Sequence, residues 1–438
     1  YRPVFVGWMI LNFLFFGTSP FGWHFLNLLI HIAVTLLAFG IARRFGISRA
    51  AAFVVSLVFG VHPVHTESVA WVSGAPDPLF SLFILLAVWF CENDAAAARR
   101  GDRRALISMN LGLALVFYAL ALGVKEIAML CFPIFAMLYA RSGDDGTVIG
   151  GWTKAWTRSI PFAALAVMFF VFRLIAIGAV TQPIDGGSAS FTESLLSAPA
   201  IFVFYLGQVF APSGLGPNYP LRIVTDPGLV SFILPLAVSI FGLFVLTSLG
   251  LRRSFGLLAL GFFLLPLAPA MYAGSFPFEQ IVHDRYLYFP LLGMLLLVVP
   301  VLEEVLTRFS PESGGRIMVA LSLVAGIALS VQTIGYNSAW RTSVALWERA
   351  VEVDPTSAFN WSQYAGSLSE SQRIQESIAA FNKSIDIRPT PLAYYGKARN
   401  LTAIGKLDEA VFDLQTVVEM PNEKLNAYTL YQTYELLA

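Results

Sequence analysis

Three short polar clusters interrupt an otherwise apolar chain, and each holds residue types that do chemistry. In the first, HPVHTESVAWVSGAPDPL, two imidazoles (His62, His65) and two carboxylates (Glu67, Asp77) stand close together around Trp71. Ionisable groups at the edge of hydrocarbon are costly unless paired or wet, so this density favours the lining of a substrate or catalytic cavity. Helix capping or ordinary interfacial polarity is the alternative, as is a zinc set, although the spacing matches no standard metal motif. The second cluster is Lys125–Glu126, set between two apolar runs. It reads either as an interfacial ion pair or as a lysine that meets a phosphate as a point charge, with Glu126 holding its direction. The third, FPFEQIVHDRYLYFP, carries Glu279, His283, Asp284, Arg285, Tyr286 and Tyr288. Here Arg285 suits a bidentate grip on phosphate with Tyr286 or Tyr288 donating a hydroxyl, and an aromatic belt with a snorkelling arginine is the alternative. Arg173, inside FFVFRLIAIG, needs a partner, a wet cavity or an outward reach, since insertion scales put a lone arginine at mid-span at about 2.5–3.5 kcal/mol.

The elements that must position these groups are membrane helices. The 438 residues are 57% hydrophobic and 13% charged, with a mean hydropathy of +0.69, whereas soluble domains carry about 25% charged residues. Apolar runs approaching the roughly 20 residues of a bilayer span recur at 22–42, 49–61, 78–92, 106–122, 126–140, 159–180, 229–249, 254–270, 286–302 and 317–335. Their Leu/Phe/Ala/Val content lacks the alternation of a membrane β-barrel, so the expected class is all-α, a polytopic transmembrane bundle. Segment 1–17 reads as a span or as a helix in the interface, and 199–212, broken by Pro212, Gly214, Gly216 and Pro220, as interfacial or re-entrant. Net charge is zero without a polybasic tract, which leaves no case for nucleic acid. Cys91 and Cys131 read as packed thiols.

Basic residues give an orientation. Arg43, Arg44 and Arg49, then Arg99, Arg100, Arg103 and Arg104, then Arg141, Lys154 and Arg158, then Arg252, Arg253, Arg308 and Arg316 all fall on one side if 199–212 does not cross. The positive-inside rule makes that side cytoplasmic and puts all three polar clusters, with everything after about residue 336, on the other.

After residue 340 the composition turns to soluble amphipathic helix. Trp361, Ala365, Phe381 and Pro389, then Tyr394, Ala398 and Ala410 in the next unit, fall at tetratricopeptide spacing. Two domains are therefore expected: a membrane domain over 1–336 and a C-terminal tetratricopeptide α-solenoid over 337–438 on the extracytoplasmic side.

At these same residues the chain resembles a known family, the O-mannosyltransferase-like membrane proteins that join a glycosyltransferase of the C-type fold to tetratricopeptide repeats. The matching stretches are YRPVFVGWMILNFLFFGTSPFGWHFLNLLIH, HPVHTESVAWVSGAPDPLFSL, Lys125–Glu126, FAPSGLGPNYP and DRYLYFPLLG, in family order. The resemblance implies transfer of a monosaccharide, mannose first among candidates, from a polyprenyl- or dolichyl-phosphate donor to serine or threonine hydroxyls of a protein, with inversion. It implies no tightly bound cofactor, with a divalent metal left open, and membrane lipid, the donor and an acceptor polypeptide as partners. A bacterial inner membrane is the expected location.

On that reading Lys125 and Arg285 lie on the phosphate side with Tyr286 or Tyr288 assisting, and Glu67 and Asp77 are pocket carboxylates. His62, His65, Glu126 and Asp284 orient loops, and the repeats present the acceptor. The family's principal acid belongs to a first outer loop upstream of the YRP stretch, so a chain starting at Tyr1 is expected to lack it along with a first span. Ala75 stands where the family usually has an arginine. Two further functions compete: a transporter or flippase of lipid-linked material, suggested by the Pro212–Pro220 break, and a non-enzymatic platform for the repeats.

Overall fold

The computed structural model describes residues 2–99, 108–141, 148–178, 188–420 and 427–437. Arg100, Arg103 and Arg104 of the expected basic connections lie outside these residues, as do the side chains of Arg99 and Lys154.

The described chain is helical throughout, with one isolated bridge between Ser188 and Pro277. Its helices are α1 (Pro3–Phe16), α2 (Pro20–Arg44), α3 (Arg49–Val61), α4 (Thr66–Ala70), α5 (Pro76–Arg99), α6 (Met109–Val124), α7 (Pro133–Arg141), α8 (Val148–Ile177), α9 (Phe191–Phe210) and α10 (Leu234–Leu251). They continue as α11 (Gly256–Leu267), α12 (Tyr288–Phe309), α13 (Gly314–Ala339), α14 (Ser343–Val353), α15 (Ala358–Glu370), α16 (Ile374–Ile387), α17 (Pro391–Ala403), α18 (Leu407–Glu419) and α19 (Ala427–Leu437). Local chemistry sets many starts: Ser48, Ser108, Ser190, Thr342, Ser357 and Thr390 each accept a hydrogen bond from a first-turn amide. Proline opens α1, α2 and α17, where its missing N–H costs nothing.

Seven described helices are long and apolar enough to cross a membrane, or eight if the α3–α4 segment, bent by 48°, is one span. The protein is thus a multi-pass membrane protein. A helix occupies each of the ten expected segments, but those at α3, α6, α7 and α11 are shorter than a full span.

Contacts sort the bundle into two ends. At the lower end Phe45 stacks on Phe255, Arg141 lies over Phe45, and Arg253 reaches the Pro300 carbonyl and Glu304. The upper end holds the breaks that carry the three polar clusters. Length and composition alone would let α9 cross, yet both its ends meet upper-end segments. Near its start Ser194 accepts from the Gly274 amide at 2.8 Å. At its far end the Val209 carbonyl meets His62 Nε2 at 3.2 Å and Tyr205 hydrogen-bonds His283. A helix with both ends on one side lies along that side. The same holds for α1, which joins Glu126, through Arg2, to the upper start of α2. The Pro212–Pro220 stretch thus follows an intact helix and breaks no span.

The last membrane helix runs to Ala339, a few residues past the expected boundary. Beyond it each helix from α14 to α18 packs on the next. Small and polar residues set the close approaches: Ser377 and Ser384 donate to the Ala365 and Ala358 carbonyls at 2.6 and 2.8 Å, and the Phe381 ring fills the space a Cβ on Gly396 would need. Ala365, Ala398, Ala410 and Phe381 are buried, Trp361 donates to the Pro355 carbonyl at 2.9 Å, Tyr394 is half-buried, and Pro389 follows the end of α16. The module stands on the upper end. Arg349 donates to the Leu215 carbonyl at 2.8 Å, Arg222 pairs with Asp354 at 2.6 Å, and Asn218 donates to Asn360 at 2.7 Å. Glu279 accepts from Ser357 and the Phe359 amide and pairs with Arg388.

Candidate functional site

The three polar clusters, distant in sequence, converge at the upper end because each occupies a helix break. Lys125 ends α6 in an extended conformation (φ −147°, ψ 130°), which frees its side chain from the helix. Asp77 lies in the first turn of α5, where a helix dipole favours a carboxylate. Lys125 Nζ donates to Asp77 Oδ1, both groups being buried. Glu67, on the single turn of α4, receives Arg285 twice, from the backbone amide at 3.0 Å and from Nη1 at 3.1 Å. Arg285 also donates from Nη2 to the Tyr286 hydroxyl at 3.3 Å. Its guanidinium lies 5.2 Å from the Trp71 and Tyr286 rings, and Lys125 Nζ lies 5.3 Å from the latter ring. Two cations therefore flank one tyrosine, each backed by a buried carboxylate.

Asp284 accepts from the Tyr219 hydroxyl at 2.6 and 2.7 Å and so ties the start of α12 to the 212–222 segment on which the helical module stands. His283, next in line, donates Nδ1 to the Pro217 carbonyl at 3.2 Å. Burial, helped by the Arg285 charge, pushes its imidazole down to about 3, so it is neutral at ordinary pH. His62 donates to the Val209 carbonyl and joins the first cluster to the end of α9.

Two expectations need correction. Glu126 does not direct Lys125: it receives Arg2 through two 2.8 Å bonds, and Asp77 is the lysine's partner. Successive residues at an extended break point opposite ways, so neighbours in sequence part company. Tyr288 does not assist Arg285: two residues along a helical path from Tyr286, it faces elsewhere and donates its hydroxyl to His31 Nδ1 at 2.7 Å. His65 lies buried against the Phe59 and Tyr288 rings, beside the backbones of the same two residues.

Arg2, Trp71 and Tyr219 belong to this network and carry no role in the sequence reading. The signals for Arg2 were its place ahead of an apolar run and within the YRP stretch; Tyr219 had only its place in FAPSGLGPNYP. Among the described residues no group of three or more His, Cys, Asp or Glu has the arrangement to hold a metal ion.

Chemically the arrangement suits an anion. Arg2, Lys125 and Arg285 balance Glu126, Asp77 and Glu67, but an ammonium has three N–H donors and a guanidinium five, more than their carboxylates use. Held from behind, such cations keep donors for a phosphate oxygen.

No protein-family model matches this chain. It is similar to the human protein O-mannosyl-transferase TMTC3, 24% identical across 94% of this chain and 47% of the relative. It is likewise similar to the Drosophila melanogaster protein O-mannosyl-transferase Tmtc3 (24% identical, 94% and 51% covered) and to human protein O-mannosyl-transferase TMTC1 (23%, 89% and 48%). The chain spans about half the length of the curated relatives it matches.

Proposed function

We propose that this protein transfers a monosaccharide, mannose, from a polyprenyl-phosphate donor to serine or threonine hydroxyls of a protein, with inversion at the anomeric carbon. The observation that carries the reading is the pair of carboxylate-backed cations, Lys125 and Arg285, flanking Tyr286 at the upper end of a membrane bundle. The similarity to proteins named O-mannosyl-transferases supports it. In such a transfer the acceptor oxygen attacks C1, the C1–O bond to phosphate breaks, the phosphate leaves with the bonding pair, and a carboxylate takes the hydroxyl proton. Charge develops on the phosphate, and preorganised cations stabilise it where it develops. Lys125 and Arg285 hold that phosphate, with the Tyr286 hydroxyl beside Arg285. Glu67 and Asp77, each committed to a cation, hold those cations in place. Arg2 extends the cationic rim. The upper end is extracytoplasmic, the membrane is a bacterial inner membrane, and helices α14–α18 are tetratricopeptide repeats that present the acceptor above the site.

The test uses the protein from its complete open reading frame, purified in detergent, with radiolabelled polyprenyl-phosphate mannose and a Ser/Thr-rich peptide. Label on the peptide, with the anomeric configuration opposite to the donor's, is the expected result. A folded protein that transfers nothing from mannose or from a panel of other lipid-linked sugars overturns the reading.

A further inference from the structure

A cavity of about 470 Å³ opens at the upper end between the first turns of α2, the bend before α4 and the end of α13. None of Glu67, Asp77, Lys125, Arg285 or Tyr286 lines it. Both flanking helices pack on α3 and expose apolar side chains, Phe25, Leu28 and Leu29 on one and Val331 and Ile334 on the other. The seam between them therefore faces lipid, and the cavity lies where hydrocarbon gives way to head groups.

Its wall holds an unmet demand for hydrogen bonds. His31 and His62 use both ring nitrogens, on Tyr288 and Gly60 and on Val209 and the Val64 amide. His65, only 3% exposed, has the Phe59 and Tyr288 backbones as weak partners, whereas the hydroxyl of buried Thr66 beside it has none. Buried polar groups left this way are costly, and a bound ligand is one way native proteins satisfy them. A hydroxyl such as that of Thr66 both donates and accepts, so a ligand that carries hydroxyls suits it. The charge is one-sided: Arg341 is the only formally charged side chain on the lining, no carboxylate joins it, and Trp340 lies next to it. Tryptophan with arginine marks the head-group level of a membrane protein.

We propose that this cavity is a head-group site for an anionic glycerophospholipid. Its phosphate meets Arg341, head-group hydroxyls reach Thr66, and its acyl chains run down the seam past Leu28. The proposal stands apart from the transferase reading, since it uses none of that site's residues.

Delipidated protein in detergent, offered phosphatidylglycerol or phosphatidylcholine and examined by native mass spectrometry and thermal melting, gives the test. Phosphatidylglycerol is expected to bind about tenfold more tightly, the worth of one charge-assisted contact. Arg341→Gln, at an exposed position that the fold tolerates, should abolish that preference. Thr66→Val keeps the shape and removes the unpartnered hydroxyl, so it should raise the melting temperature without lipid and lessen the lipid-induced rise. Equal binding of the two lipids, or a preference that survives Arg341→Gln, overturns the proposal, and if Thr66→Val does not fold Arg341→Gln decides alone. Competition by polyprenyl-phosphate mannose that displaces phosphatidylglycerol and weakens in Arg341→Gln also overturns it, by giving the cavity to the donor.

Discussion

The two ends of the bundle use the same residue types differently. At the lower end Glu92 pairs with Arg141 at 2.8 Å, and Asp94 collects Tyr139 at 2.9 Å, Arg158 at 3.4 Å and Ser108, joining α5 to α7, α8 and the start of α6. Its arginine is only 8% exposed and works as a staple between helices. At the upper end the carboxylates are as deeply buried, but Arg285 keeps 22% exposure and an aromatic ring stands between it and Lys125. A buried ion pair is thus ambiguous by itself. What sets the Arg285–Glu67 pair apart from the Arg141–Glu92 staple is that its cation still faces open space.

The largest expected effect falls on the staple. Arg141→Met takes one charged partner from the buried Glu92 carboxylate, and breaking one partner of a buried pair costs about 3–5 kcal/mol. Detergent melting should drop sharply or folded protein should vanish, whereas the double change Glu92→Met with Arg141→Met should recover most of the loss. Next comes Arg285→Lys, which keeps the charge on Glu67 but loses the planar fork. It should cut transfer by about 10–100-fold with little change in melting, while Arg141→Lys should leave transfer near wild type. Equal behaviour of the two lysine variants would erase the distinction between the ends. Arg2→Gln breaks a pair that is 38% and 31% exposed. Such a pair contributes about 1 kcal/mol or less to stability, so the change should appear as weaker use of donor, not as a lower melting temperature.

The smallest effect is one of pH. His283 titrates near 3 when folded and near 6.5 when unfolded, so its neutral form contributes stability above about pH 6.5 that is lost as pH falls toward 3. Between pH 7 and 6 the loss should be less than about 1 kcal/mol, and His283→Asn should flatten that part of the melting profile.

The helices are legible because bilayer spans announce themselves in composition, and the basic residues on either side of 199–212 fit a segment that does not cross. The broken-helix reading of Pro212–Pro220 failed because sequence marks a break without saying which helix it ends. At the site, the gathering of residue types was visible but the partners were not. Lys125 and Glu126 are adjacent in sequence and part at an extended residue, while Asp77, 48 positions away, is the true neighbour. Tyr286 and Tyr288 look interchangeable in a string and are separated by the turn of a helix. Arg2 meets Glu126 across 124 residues, a distance no local pattern spans.

The proposed function stands on Lys125 and Arg285 holding the phosphate of a lipid-linked sugar. Its most direct test compares steady-state transfer from polyprenyl-phosphate mannose by wild type and by the charge-balanced double variant Glu67→Gln with Arg285→Gln, which leaves no stranded partner. Folded protein with kcat/KM for donor lowered about 10²–10³-fold is the expected result. Wild-type kcat/KM in a folded double variant would contradict it.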